Sequence, residues 1–483
     1  MSGYVPIPDF TKPSYADYNL NAIQRTVNLY PEKTTTGYIQ KTTPGLSLFT
    51  TVSGGVRCRG LYMTGSKRLF AVHGTTLNEI DSSGTVTNRG TLTGFGDDFA
   101  LMADNGTQLL IQGSTKGWIF DFAGNTLTQI TDVNYPATSP NVARGLAFKD
   151  GFFFSGLYSS ISNSFYQSAL NDGLTWTPAA FGIASVNSDT IGGLIACGPY
   201  LYVFSPNSVE VWYNAGTAGF TLLRVPGSTM DIGAYYPTSI ATLHNKVYFV
   251  SEGQGKQSVW EIVGTQPRKV STPFVEKKIL GLNPVVGMTY AEDGHDWYVF
   301  SSYAANNQTW AYDITEGAWS ERTSFKNSAF QEWRVNSIAP GFSGSGDILC
   351  GDSENGSIWK LTRTTSTENG INITRIRDFR IDPGISRSFH YGMRIELECA
   401  YDATGTTTLS ATLQKSDDDG LTFDTGITLS QTVTSSAIGQ QVVLKTPPLG
   451  MSKAGRVYRL TFTGPAAQLI LKNADLNLRQ GAF

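Results

Sequence analysis

The densest group of chemically capable side chains is Glu-Asp-Gly-His-Asp-Trp, Glu292 to Trp297, where three acids surround His295. Such a group suits general acid–base work or a metal ion, provided a second histidine or a carboxylate stands at ligand spacing. None does. The segment lies between two apolar runs and reads as a hairpin tip. His73, His244 and His390 are likewise single residues at or near strand turns. Cys58, Cys197, Cys350 and Cys399 lie far apart with no Cys-x-x-Cys pair, so neither a zinc cluster nor a disulfide framework is indicated. A phosphate loop of the GxxxxGK[ST] kind and a GxSxG nucleophile elbow are both absent. The sequence supplies no catalytic, cofactor-binding or metal-binding set. A site assembled from distant loops would leave no such signal, so the reading of a non-enzyme rests on missing motifs.

Two segments resemble the Asp boxes of sialidases. One is Ser416, Asp418, Gly420, Thr422 and Phe423; the other, looser, is Asn171, Gly173, Thr175 and Trp176, with Ala169 in place of the serine. A sugar-cleaving enzyme would need an acid–base pair of carboxylates as well. The mechanics of the box itself are those of a turn: the Asp or Asn caps backbone N–H groups, Gly takes a positive φ, and the aromatic packs beneath. The structural reading is preferred. Arg-Ile-Asp-Pro-Gly, Arg380 to Gly384, faintly matches the sialidase arginine motif but falls too late in the chain and carries an inserted Asp.

The elements that hold these residues follow from composition and repetition. At 483 residues the chain exceeds one ordinary core. Charged residues make up 16%, aromatics 12%, and the net charge is −3. Low charge with abundant Gly, Thr, Ser and aromatics indicates many short strands joined by tight turns. A general nucleic-acid binder gains affinity from clustered Lys and Arg, and no long basic run occurs; Thr374 to Arg380 alternates like a strand and includes an Asp. No apolar run is long enough to span a membrane, and the N-terminus has no secretory pattern.

A unit recurs from Gly60, Ala100, Gly145, Gly193, Ser239, Gly287 and Ser337. Each begins with a small residue, a short apolar strand, a polar turn and a second apolar strand. A third strand follows, and a more polar fourth follows most of them. Three or four antiparallel strands every 40 to 50 residues mark β-propeller blades. The seventh unit lacks a fourth strand, and Leu46 to Val52 is expected to supply it and close the ring. The fold expected is all-β, a propeller of six or seven blades over residues 46–363. An extended N-terminal arm precedes it over 1–45, and a β-sandwich of alternating strands follows over 364–483.

Within that arm, Asn28, Tyr30, Glu32, Lys41, Pro44, Gly45 and Leu46 resemble the opening signature of the packaged-DNA stabilisation, or tail nozzle, proteins of short-tailed bacteriophages. The usual Cys before the Asn is missing. Leu201 to Ile240, Val270 to Ile279, Thr309 to Arg322 and Ile385 to Phe423 continue the resemblance in order. It implies a structural virion protein without cofactor or catalysis. Such proteins assemble as a ring, usually a hexamer, below the portal and its head-to-tail adaptor. They extend the channel for packaged double-stranded DNA, help retain it and let it pass on ejection. They also contact fibre, spike or needle proteins. It places the chain in the phage tail, after synthesis in the host cytoplasm. The arm then either leads into the closing strand, which is preferred, or docks on a partner. The hairpin tip Gly341 to Asp347 is a candidate constriction, being long and Gly-rich. A carbohydrate-binding adhesin or a glycan-cleaving propeller of the tail is the alternative reading, since a polar, aromatic-turn surface suits glycan as well as protein.

Overall fold

A computed structural model describes residues 3–480 except 14, 16–24, 96–98, 138–141, 159–162, 185–189, 235, 254–255, 304–307, 345, 383–386, 402–405, 435–438, 454 and 465. Four-stranded antiparallel sheets built from consecutive strands cover residues 58–91, 101–129, 142–183, 193–224 and 241–269, and four further consecutive antiparallel strands over 285–326 form part of a larger sheet. These are blades 1 to 6. The three strands of 335–362 are completed by Gly45–Thr51, which pairs antiparallel with Ser357–Thr362 and makes blade 7. The expected ring closure is therefore present. Each interface between neighbouring blades has its own apolar cluster, including the one where blade 7 meets blade 1 through Val52, Cys58, Leu69, Leu349 and Ile358.

The burial gradient across each blade explains the repeat. Second strands such as Leu69–His73 are buried throughout because blades cover both faces, so they read as apolar runs. Outer strands such as Gln266–Lys269 are exposed throughout and carry Pro, Arg and Lys, which protects a free edge from pairing.

The C-terminal residues form two sheets around a second core built from Phe379, Ile395, Leu413, Leu460, Leu471 and others. This is the expected β-sandwich. Its long strands Ser388–Tyr401 and Ala466–Gln480 pair along most of their length.

Residues 1–45 are where structure and expectation differ. Among the described residues of this stretch, short strands pair into the propeller and the sandwich in place of an extended arm. Thr26–Val27 pairs parallel with blade 6 at Glu321 and antiparallel with Arg375–Ile381 of the sandwich. A ten-stranded sheet thus runs from blade 6 into the sandwich through a two-residue strand. Leu29–Thr34 and Gly37–Thr42 form a hairpin that joins the other sandwich sheet at Leu471 and Ile470. Tyr4–Pro6 adds to the same sheet. The segment looked irregular because its strands are short and its partners lie about the length of the chain away.

Candidate functional site

The residues of the N-terminal signature converge on the seam between propeller and sandwich. Asn28 takes a positive φ of 54° between the two short strands. Its Nδ2 donates to the carbonyls of Thr323 at 3.0 Å and Thr374 at 2.8 Å, and its Oδ1 accepts the Thr323 N–H at 3.0 Å. One side chain so ties blade 6 to the sandwich. Upstream, Arg25 makes a two-pronged pair with Glu321, and the Tyr15 hydroxyl donates to the same carboxylate at 2.6 Å.

The hairpin that follows docks on the Glu292–Trp297 tip. His295 lies buried, with Nδ1 2.7 Å from Asp313 and Nε2 3.1 Å from Glu32. Lys41 pairs with Glu32 at 2.7 Å and also with Asp293. Arg363, just past the last strand of blade 7, donates to Glu292 at 3.0 Å and to the Tyr30 hydroxyl at 2.6 Å. The Tyr30 ring stands edge-on to Trp297. Burial alone would lower the His295 value, but the hydrogen bonds and charges of Asp313 and Glu32 outweigh it and raise it. Burial pushes Glu32 and Asp293 up, yet the lysine and its neighbours hold both below the ordinary carboxylate range.

Pro44, Gly45 and Leu46 enter blade 7. A Cβ on Gly45 would stand 2.5 Å from the Thr365 carbonyl oxygen and 2.8 Å from that of Thr367, so only glycine lets the strand lie there. Beside it, Glu368 is buried; it accepts the Trp333 indole N–H at 2.9 Å and a hydroxyl from Ser324. Arg334 pairs with buried Asp352 at 2.8 Å, and the Arg322 guanidinium lies 3.7 Å from the Trp333 ring centre. The sequence could have shown this seam only through the spacing of Asn28, Tyr30, Glu32 and Lys41, because every partner is distant.

The other candidates are structural. Asp418 accepts from Ser416 and from the Thr422 N–H at 2.9 Å, and the Gly420 N–H reaches Ser416 at 2.9 Å. Those hydrogen bonds, first that of Ser416, hold its carboxyl at about 2. This box is a hairpin tip. The Asn171 box is another: Trp176 is buried and donates to Gly173 at 2.9 Å. Arg380 pairs with Asp382 and Asp419, and Pro383 and Gly384 of its motif lie outside the described residues. His73 is buried without a ring partner among the described residues, His244 reaches Asp296 at 3.1 Å, and His390 reaches Tyr458 at 2.7 Å. The four cysteines are buried, and among the described residues none is in a disulfide. Among the described residues no group of three or more His, Cys, Asp or Glu is placed to hold a metal ion.

Two cavities lie among the innermost strands of the blades. One is a cavity of about 400 Å³ bounded by Arg57, Phe99, Arg144 and Pro237. The other, about 660 Å³, is bounded by Tyr62, Lys67, Thr289 and, from the Gly-rich tip, Gly344, Gly346 and Asp347. These are volumes of small-molecule pockets. A duplex whose major groove alone is about 12 Å wide does not fit either.

A closed ring of blades bonded through short N-terminal strands to a β-sandwich defines the class as a β-propeller protein. The chain belongs to the Phage_stabilise family, described as bacteriophage P22 Gp10, beta-propeller, whose model matches residues 12–366. It is therefore a structural, stabilisation-type component of a phage particle. No curated protein matches the chain. Among solved structures, a streptogramin B lyase is similar at 14% identity and a TM-score of 0.45, covering 66% of this chain and 97% of that one. Virginiamycin B lyase from Staphylococcus aureus is similar at 13% and 0.44, covering 67% and 98%. The extracellular domain of the putative hybrid two component system BT4673 from B. thetaiotaomicron gives 11% and 0.45, covering 72% and 42%. These likenesses are too remote to carry any argument about chemistry.

Proposed function

We propose that the chain is the subunit of a tail nozzle, a ring of copies, six by analogy with its family, standing below the portal and adaptor. The DNA path is the axis shared by the copies, because the cavities among the innermost strands are of small-molecule size. Retention rests on a constriction at that axis, and fibre, spike or needle proteins attach to the ring. The observation that carries this reading is the match over residues 12–366 to a family of phage stabilisation proteins. The seam supports it: a continuous sheet and the ion pairs of Arg25 with Glu321, Lys41 with Asp293 and His295 with Glu32 tie propeller and sandwich into one block, as a pressurised conduit requires.

The test is a phage whose gene for this chain is inactivated. Heads that fill, then leak DNA through a truncated tail, are expected. Full, stable heads with a normal tail that fail to adsorb would overturn the nozzle and favour the adhesin.

A further inference from the structure

A sheet edge is a row of unpaired backbone donors and acceptors, and proteins guard such rows with Pro, charges, bulges or brevity. Among the described residues, the outermost strands of blades 1 to 6 and the edge strands of one sandwich sheet carry Pro or a charged residue, or are no more than four residues long. Gly45–Thr51 of blade 7 is covered at Leu46 by Thr367–Glu368 and bulged at Phe49. Ile427–Thr434, the last strand of the other sandwich sheet, has none of these guards.

This strand pairs along its whole length with Thr406–Ser416, without a bulge, and among the described residues no strand lies on its other side. Its eight residues, Ile-Thr-Leu-Ser-Gln-Thr-Val-Thr, include no charge, Pro or Gly. Five of them are β-branched, which suits an extended backbone. Leu429 and Val433 belong to the sandwich core, while Thr428, Ser430, Thr432 and Thr434 are exposed. In an antiparallel ladder alternate residues spend their N–H and C=O on the neighbour, and the others point theirs away. The Thr434 N–H donates to the Gln440 side chain at 2.9 Å and not to the ladder, which puts Thr428, Ser430 and Thr432 in the outward set.

One chemistry matches such a row along its length: another extended peptide, bonded main chain to main chain. The uncharged side chains add no attraction for DNA or an anionic surface. A second copy of this chain could offer only its own Ile427–Thr434, because its other edges are guarded. Pairing that strand with itself is two-fold and stops at a dimer, so it does not carry a ring forward. We infer that Ile427–Thr434 receives, by strand addition, an extended Pro-free segment of a different virion protein. The exclusion of a second copy rests on the nozzle reading.

The test uses phage particles in which benzoylphenylalanine stands at position 428, 430 or 432 of the full-length chain, one at a time. The particles are irradiated and the adducts mapped by mass spectrometry. The side chains at these positions are exposed, so the replacements leave the core untouched. All three are expected to attach to one segment of one other virion protein. The point of attachment is expected to move about two residues at each step, as strand pairing dictates. Adducts to a second copy of this chain, or adducts that scatter without register, would overturn the inference. Intact tails that contain the chain and give no adduct would overturn it and leave the nozzle standing. Absence of the unaltered chain from particles would remove the nozzle and this contact together. As a second measurement, Ser430→Pro removes one outward N–H and leaves the inward ladder bonds in place. It is expected to melt as the parent does when purified and to enter particles, yet to cut the adduct formed from position 428 at least tenfold; an undiminished yield would overturn the inference.

Discussion

At the scale of single residues, Asn28 and His295 do separable work. Asn28 holds a left-handed backbone and four side-chain hydrogen bonds. Asn28→Gly keeps the backbone and loses the bonds; Asn28→Ala also pays about 1 kcal/mol for a Cβ at positive φ. Denaturant unfolding is expected to show both variants destabilised by about 2–3 kcal/mol, with Ala the worse. His295 makes the hairpin's docking pH-dependent. Its folded value lies above the ordinary imidazole value of about 6.5, so its stabilisation is complete below that pH and is lost as pH rises through the folded value. Glu32 and Asp293 have the opposite sign: their depressed values make their contribution present above the ordinary carboxylate range and lost on acidification. Hydrogen exchange of residues 29–42 is therefore expected to accelerate above neutrality, and His295→Gln to flatten that rise at a cost of about 2 kcal/mol. His73 and His390, held neutral by burial at about 4, act on the whole fold instead. Each withdraws on the order of 3 kcal/mol as pH falls from about 6.5 through 4, which a melting series would register without loss of the hairpin first.

At the scale of elements, the ring's last blade depends on one close approach and one buried ionic layer. Gly45→Ala drives a Cβ onto two backbone oxygens that cannot move independently. It is expected to cost about 2–3 kcal/mol and to loosen the closing strand, read as faster proteolysis within residues 43–52. Asp352→Ala leaves buried Arg334 with only the longer, 3.9 Å contact to Glu354 and takes an acceptor from the Trp359 indole; about 3 kcal/mol is expected from chemical denaturation. Why some of this was legible and some not is a matter of contact distance along the chain. Blades are local: strand, turn, strand, repeated, so the apolar second strands announced themselves, and the missing fourth strand of the last unit pointed to Leu46–Val52. The sandwich strands from Arg375 onward alternate cleanly because one face is wet. Thr26–Val27 and the hairpin after it carry no such pattern. Two-residue and six-residue strands bonded to residues 321, 376 and 470 look like loop until the partners are in place. The Glu292–Trp297 cluster was legible as a hairpin tip, but its acids had to be seen against Lys41 and Arg363 before they became a clasp.

At the scale of the molecule, a nozzle of the proposed kind should hold DNA weakly. The chain has 36 cationic and 39 acidic residues, and many of the cations at the seam are already committed to carboxylates. A committed cation releases few counterions on meeting a phosphate, so it adds little affinity. In a ring the effect multiplies: contacts made once per subunit act together on the same duplex, and avidity would turn weak per-copy binding into arrest. A conduit must therefore be built from copies that individually bind below the usual non-specific range of about 10⁻⁴ to 10⁻⁶ M at physiological salt. Fluorescence anisotropy of a labelled 30-base-pair duplex with the purified chain is expected to show no saturation at 50 μM protein in 150 mM salt, and only a shallow gain on lowering the salt. Micromolar affinity that resists salt would instead mean a specific DNA site, incompatible with a passage through which the genome must slide.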